Sequence, residues 1–204
     1  MSFNLKSHIE KVASPKADLP EPTPEMIEWF EKRTKMHIEL VRKYAEKIEQ
    51  VDDAYKGLRK ITDIHDDSKW EEPERLPYIF ISWKYHCKDT GEKFENPAGL
   101  DGLMNTATHH HVTSNSHHPE FHSPKKTDLI NRDDRDKPPK EQVDATKMPS
   151  MDLAEMVADW AAMSEEKGGT VRGWADKNVN IRWKFDDDQV EEIYHVIGLL
   201  EGKA

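Results

Sequence analysis

The chain has 204 residues, a single cysteine and a formal net charge of −10 at neutral pH. One cysteine excludes an internal disulfide scaffold and favours a reducing compartment, which predicts a cytoplasmic protein. The negative charge makes nucleic acid an unfavourable partner. The sequence has no run of about 18 apolar residues and no apolar stretch typical of a signal peptide, so we expect neither a membrane span nor secretion.

The first part of the chain predicts an extended segment followed by helices. Four prolines among polar residues at 14–24 predict that residues 1–23 are extended. From Pro24 onward, side chains that suit one face of a long amphipathic helix recur at alternating steps of four and three: Phe30, Thr34, His37, Val41, Tyr44 and Ile48. The same period continues from Val51 to Trp70 and predicts a second helix with His65 and Asp66 near its end.

Four later segments are also predicted to be helical. The aromatic segment 75–91 would suit a strand by composition, but its helical neighbours favour a third helix that ends at a glycine. A fourth helix carries His111 on its apolar side. A fifth is expected from Ser150 to Glu166 and a sixth from Asp186 to Leu200, with a short helical turn between them.

The segment between the fourth and fifth helices is polar. Residues 119–149 have no apolar period and carry interspersed acidic and basic side chains, which indicates a long charged loop or lid. Together the elements predict an all-α fold, in which a single bundle of about six or seven helices spans residues 24–204. The chain length suits one compact domain better than two.

The dipeptide His65-Asp66 is the first candidate site. A histidine and an aspartate at one helix end offer an imidazole nitrogen and a carboxylate oxygen to the same cation, a combination that suits a borderline or hard divalent metal. The alternative is an ordinary exposed helix terminus, because so short a motif is common by chance.

Two further ligand types lie on apolar faces of predicted helices. His37 is on the inward face of the first helix, and Asp159 lies among Met and Trp side chains of the fifth. Each alone is explained as well by a hydrogen-bonded core histidine or an acid near the surface. The order His, His-Asp, Asp on separate helices resembles the HD-domain superfamily of metal-dependent phosphohydrolases. This resemblance covers residues 25–165 and implies an HD-like bundle in which His37, His65, Asp66 and Asp159 bind one divalent metal.

A wider pattern is similar to another family. The segments MHIELV, HDDSKW, HHHVTSNSHHPEF and LAEMVADW together resemble, more closely, a family of uncharacterised bacterial and phage proteins, and that resemblance implies no activity. Some HD-domain phosphodiesterases have the sequence His-Asp-x-x-Lys with the lysine beside the scissile phosphate, which implies catalytic roles for Lys69 and Asp66. A phosphate requires such a cation in the transition state. The alternative for Lys69 is a surface lysine at a helix end.

Six histidines lie within fourteen residues, at positions 109–111, 117, 118 and 122. HD-domain proteins with two or three metals have extra histidines in this part of the chain, often in a His-His-Glu sequence, whereas this chain has His-His-Pro-Glu. His111 lies on an apolar helix face, and a turn after it would return His117 or His118 to the same cavity. The resemblance therefore leaves two interpretations open: a second metal bound by His111 together with His117 or His118, and a solvated loop that binds metal adventitiously.

Other polar residues near these motifs have smaller predicted roles. Glu155 lies one helical turn before Asp159 and would orient a ligand histidine by accepting its second N–H, unless it pairs with a surface lysine. His86 is a further candidate ligand from the third helix. Cys87 has no catalytic context and is expected to be a small buried residue. The remaining histidines of the rich segment, His109, His110 and His122, are not expected to bind the metal.

These patterns lead to three hypotheses for the function. The first is a phosphoester hydrolase that uses a metal-activated water on a nucleotide or another small phosphorylated molecule, with one or two divalent ions among Mn, Fe, Co and Ni. The second is an HD-like di-iron oxygenase. The third is a noncatalytic binding protein in which a metal braces the helical bundle.

Overall fold

The computed structural model describes residues 21–125 and 141–203, and within them the protein is all-α. The helices are α1 (Pro24–Val51), α2 (Leu58–Ile61), α3 (Arg75–Thr90), α4 (Leu100–Ser114), α5 (Pro119–His122), α6 (Ser150–Lys167), α7 (Val171–Asn178) and α8 (Asp187–Glu201). Two short strands, β1 (Val143–Asp144) and β2 (Trp183–Lys184), pair in parallel. The predicted fold class is therefore confirmed.

Helix α1 is the long central element of the fold. Thr23 caps its first turn by accepting a hydrogen bond from the backbone of Met26 at 3.3 Å, and Pro24 occupies the first turn, where a missing N–H is harmless. Of the stripe predicted from the sequence, Tyr44 is half-buried and the other five residues, which include Phe30, His37 and Val41, are buried. The first predicted helix is confirmed, and it places His37 on the inner side of the bundle.

The second predicted helix, from Val51 to Trp70, is wrong. The segment instead contains the four-residue α2 and three short 3-10 turns at 53–55, 62–64 and 67–70. Gly57 and Asp66 adopt left-handed backbone conformations, with φ of 97° and 62°, which an α-helix does not accommodate. As a result His65 and Asp66 lie in a tight turn between two 3-10 segments, and both are buried.

The later predicted helices are confirmed. Helix α3 ends at Gly91 in the left-handed conformation, as the sequence predicts, and α6 ends in the same way at Gly168. Helix α8 begins with a capping box formed by Asp186 and Gln189. The short helical turn expected before it is the eight-residue α7.

Two predicted segments lie partly or wholly outside the described residues. In the predicted extended segment 1–23, residues 1–20 lie outside the described residues. Of the predicted loop or lid at 119–149, residues 126–140 lie outside, while its described ends contain α5 and β1.

The apolar core has two parts along α1. One part joins the second half of α1 to α6 and α8 and includes Val41, Ile48 and Ile197, all with no exposed surface. The other joins the first half of α1 to α3 and α4 and includes Phe30 and Met104. Burial of each large apolar side chain contributes about 1.5–3 kcal/mol relative to exposure. Within the described ranges, none of the helices has the length and apolar character needed to cross a membrane.

Candidate metal centre

The carboxylate of Asp66 lies at the centre of a cluster of histidines. Its side chain is 1% exposed. Four imidazole Nε2 atoms lie within 4 Å of it: those of His37 and His65 at 3.6 and 3.8 Å from Oδ2, and those of His111 and His117 at 3.3 and 3.8 Å from Oδ1. Imidazole nitrogens that converge on one carboxylate form a donor set suited to a divalent cation.

Two atoms of this cluster are buried without a hydrogen-bond partner in the described part of the chain. They are Nε2 of His65 and Oδ1 of Asp66. A buried polar atom without a partner costs about 1–3 kcal/mol, so most such atoms in proteins bind something. Bound cations on the two sides of Asp66 would provide partners for these atoms, and the residues present therefore fit a bound cation.

The four residues that the HD-domain resemblance implies as ligands lie together. His37, His65 and Asp66 each have a ligand atom within 4.8 Å of the others. Asp159, from α6, places Oδ1 3.0 Å from Nε2 of His37. Three separate parts of the chain, α1, the turn at 65–66 and α6, thus supply one group, which we call the first site.

A second group of ligand atoms lies on the other side of Asp66. His111, His117 and His118 have ring nitrogens within 4.8 Å of one another, and the Nε2 atoms of His111 and His118 are 3.0 Å apart. The Oδ1 atom of Asp66 faces this group, which we call the second site, whereas Oδ2 faces the first. Asp66 is therefore placed to contact cations in both.

Three of the four histidines that face Asp66 have a glutamate within hydrogen-bond distance of Nδ1, on the far side of the ring. The Nδ1 contacts are His37 to Glu166 at 2.8 Å, His65 to Glu155 at 2.8 Å and His111 to Glu74 at 3.0 Å. A carboxylate can only accept, so each Nδ1 carries the hydrogen and donates it. In the neutral imidazole this leaves the Nε2 lone pair directed at the Asp66 side of the ring, which is the arrangement found behind metal-binding histidines.

His37 is protonated in the metal-free protein. Burial lowers its pKa, but hydrogen bonds to Asp159 and Glu166 outweigh burial and raise the pKa of His37 to about 9. Burial likewise opposes ionisation of Asp159, while the hydrogen bond from His37 holds the pKa of that carboxyl below its usual range. A cation at the first site therefore has to displace a proton from Nε2 of His37.

Burial favours the neutral form of the two buried histidines of the second site. Burial lowers the pKa of both His111 and His117, and the positive charge of Lys69 adds to the effect at His111. Neutral imidazole is the form that binds metals. The protonation state of these two rings therefore already suits a ligand role.

Lys69 provides the positive charge nearest to the centre. Its ammonium group donates to Oδ2 of Asp66 and lies 5.3 Å from the ring centroid of Tyr78. Burial opposes ionisation of Asp66, but Lys69 and the surrounding imidazoles outweigh it and hold the pKa of Asp66 well below its usual range. The side chains of Lys69 and Asp159 are 15% and 17% exposed, so the cluster has a side that is open to solvent.

The remaining sequence candidates lie away from the centre. His86 stacks on Trp29, with ring centroids 3.9 Å apart, and is absent from the ligand groups found within the described residues. His86 therefore lies outside the candidate ligand groups of the described residues. His122 contacts the backbone carbonyl oxygen of Ser116 at 2.8 Å, and Cys87 is buried in accordance with its expected role.

Residues 26–199 match the model of the family DUF5662, which is described as a family of unknown function. The chain belongs to this family. No curated protein and no solved structure matches the chain. The description of DUF5662 names no activity, so the function of this member has to be argued from its site.

Two glutamates of this DUF5662 member were missed by sequence reasoning. Glu166 lies seven residues after Asp159, a spacing that places both on one face of α6, so helical periodicity could have found it. Glu74 precedes α3 in an irregular segment, and no periodic pattern marks it. Only the fold shows that it approaches α4.

Proposed function

We propose that the chain is a metal-dependent hydrolase of a phosphoester, acting on a nucleotide or another small phosphorylated molecule. The observation that carries the proposal is the convergence of four imidazole Nε2 atoms on the buried carboxylate of Asp66, together with the two unpartnered atoms of His65 and Asp66. Buried groups of this kind are stable when they bind a cation.

The proposed ligands divide between the two sites. His37, His65, Asp66 and Asp159 would hold a cation in the first site, and Asp66 with His111, His117 and His118 would supply the second. The set contains nitrogen and carboxylate oxygen but no thiolate, which favours Mn, Fe, Co or Ni over a structural zinc site. A bound divalent cation supplies Lewis acidity and lowers the pKa of a coordinated water.

Charge in the cluster supports two divalent cations. Five acidic side chains surround or back the ligands: Asp66, Glu74, Glu155, Asp159 and Glu166. Two permanent cations contact them, because Lys69 pairs with Asp66 and Arg33 pairs with Glu166. With all five acids ionised, the deficit is three positive charges, and two divalent cations would leave a net charge of plus one. A slight positive excess suits an anionic phosphate ester.

Lys69 is the proposed catalytic cation toward the substrate. The Lys69 side chain is 15% exposed, so a phosphate could approach it from solvent. An ammonium group there offsets the charge that develops on the phosphoryl oxygens in the transition state. Asp66 would act by holding the two sites at a fixed separation.

The open side of the cluster supports a catalytic role over a structural one. Structural metal sites are usually closed by protein ligands, whereas catalytic sites keep a position for water or substrate. Here Lys69 and Asp159 reach solvent while Asp66, His65 and His111 are buried. The noncatalytic alternative predicts a cluster without such access.

The test begins with metal analysis of the protein purified without a histidine tag. We expect one or two divalent ions per chain, hydrolysis of at least one member of a phosphoester panel, and loss of both metal and hydrolysis in His65→Ala. His86→Ala is the matched control and should retain both, since His86 lies outside the ligand groups. Metal without hydrolysis would contradict the proposed activity. Oxygen uptake by an iron-loaded protein would instead support the oxygenase alternative.

A further inference from the structure

Glu74 is a fully buried carboxylate that links three parts of the fold. Its side chain has no exposed surface. Oε2 accepts a hydrogen bond from Ser68 Oγ and lies 3.0 Å from Nδ1 of His111, while Oε1 lies 2.7 Å from Nδ1 of His110. These partners belong to the turn that follows Asp66 and to helix α4.

We infer that Glu74 is the positioning residue of the second metal site, acting through His111. The inference rests on the proposed function, because it assumes that His111 binds a cation. Glu74 contacts Nδ1 of His111, whereas Nε2 of the same ring faces Asp66, so Glu74 would act on the metal site through His111 and not as a ligand. Its role would be to set which nitrogen of His111 carries the hydrogen and how the ring is oriented.

The hydrogen bond to Glu74 fixes the tautomer of His111. With the hydrogen on Nδ1 and donated to the carboxylate, Nε2 keeps its lone pair. That Nε2 atom lies 3.3 Å from Oδ1 of Asp66 and 3.0 Å from Nε2 of His118. The negative charge of Glu74 also makes the ring a stronger donor to a cation.

Glu74 also fixes the separation between His111 and Asp66. Ser68 lies two residues after Asp66, in the same tight turn, and its hydroxyl donates to the Glu74 oxygen that contacts His111. Asn115 adds a hydrogen bond from its side chain to Ser68 Oγ at 2.9 Å. The turn that carries the shared ligand is thus connected directly to the helix that carries the second-site ligand.

His110 also contacts Glu74, and it helps to distinguish two roles of that carboxylate: satisfying buried hydrogen bonds, and positioning His111 for the second metal. His110 shares the carboxylate but its side chain is 42% exposed, and it is absent from the ligand groups of the described residues. A Glu74 that served only to satisfy buried hydrogen bonds would affect stability without a preference between metal sites. A positioning role through His111 predicts loss at the second site alone.

The experiment is titration of the metal-free protein with Mn²⁺, followed by equilibrium dialysis and electron paramagnetic resonance. In the wild type we expect two ions per chain and the spectrum of a magnetically coupled pair, because Asp66 would contact both. Glu74→Gln should weaken the second ion by about 10- to 100-fold and give the spectrum of isolated Mn²⁺, while the first ion binds normally. Glu166→Gln should weaken the first ion, because Oε1 of Glu166 lies 2.8 Å from Nδ1 of the first-site residue His37. His110→Gln should behave as the wild type.

Three outcomes would contradict the inference, and they differ in what else they contradict. If Glu74→Gln keeps the coupled pair, or weakens both ions equally, Glu74 has no positioning role but the proposed function stands. If the wild type binds a single ion, the second site and this inference both fail. If it binds none, the proposed function fails with them. Should Glu74→Gln not fold, the milder variant Ser68→Ala, which removes one hydrogen bond to the same carboxylate, should weaken the second ion selectively.

Discussion

The ammonium group of Lys69 donates to Oδ2 of Asp66, so a lysine neutralises the carboxylate at the centre of the candidate site in the metal-free protein. The same oxygen lies 3.6 Å from Nε2 of His37. Lys69 therefore contacts the carboxylate oxygen that a first-site cation would bind. The lysine and the metal compete for Asp66, and a bound metal would release Lys69 toward the open side.

This competition predicts opposite effects of Lys69→Met on metal binding and on turnover. Removing the like charge should tighten Mn²⁺ binding by about 10-fold or more, because two cations near one carboxylate repel each other. Phosphoester turnover should fall by about 10²-fold or more, since the substrate loses its charge partner. Calorimetric titration and steady-state assays measure the two effects.

The metal-free Lys69→Met variant should also be less stable than the wild type. Breaking the buried ion pair removes the positive charge closest to Asp66 and leaves the surrounding imidazoles to stabilise its carboxylate, at a cost of up to about 3 kcal/mol that thermal unfolding in chelator would detect. Adding Mn²⁺ should then raise the melting temperature more in the variant than in the wild type. Weaker metal binding by Lys69→Met, together with unchanged phosphoester turnover, would show that Lys69 has neither of these roles.

His111→Ala tests the second site. The variant should bind one ion where the wild type binds two, because the first-site ligands His37, His65 and Asp159 are untouched. Dialysis against Co²⁺ with metal analysis gives the stoichiometry. His122→Gln is the matched control from the same histidine-rich segment, and it should bind two ions because His122 contacts the backbone of Ser116 instead. Two ions in His111→Ala would show that the second group is not a metal site.

The raised pKa of His37 predicts how the stability of the metal-free protein depends on pH. Protonated His37 pairs with Asp159 and Glu166 in the folded state, and its pKa rises from 6.5 to about 9. The resulting stabilisation is fully present below pH 6.5 and is lost as the pH rises through about 9. Its size is on the order of 3 kcal/mol.

Denaturant unfolding in chelator, with His37→Gln beside the wild type, measures this effect. The stability advantage of the wild type should be largest near pH 6 and should shrink as the pH is raised toward about 9. Metal affinity should change in the opposite direction over the same range, because the cation no longer has to displace the proton. A constant difference between the two proteins across this range would contradict the assigned protonation of His37.

Helical periodicity correctly predicted which helix faces carry part of the candidate site. His37 and Asp159 lie on regular helices, and for such residues a step of three or four fixes the side that faces the bundle. The same rule places Glu155 one turn before Asp159, and in the structure its carboxylate lies 2.8 Å from His65. These positions required only the period of a helix and its apolar face.

The turn at His65-Asp66 could not be predicted in the same way. Its apolar pattern fits a helix, but Gly57 and Asp66 take left-handed conformations that depend on the packing around them. Asp is one of the few residues that tolerates this conformation, and the burial of its carboxylate among four imidazoles selects it here. Glu74 was missed because its partners lie far from it in sequence, and only tertiary structure brings them together.

Asp66→Asn tests the central claim most directly. Asparagine has nearly the same shape and also tolerates the left-handed backbone at φ 62°, so the turn should remain intact while the carboxylate shared by both sites is lost. The measurement is the metal content of the untagged protein and of the variant after both are loaded with Mn²⁺ and passed through a desalting column. The wild type should retain about two ions per chain and Asp66→Asn almost none, with similar helical content by circular dichroism. Equal metal content in the two proteins, or a wild type that retains no metal, would contradict the account.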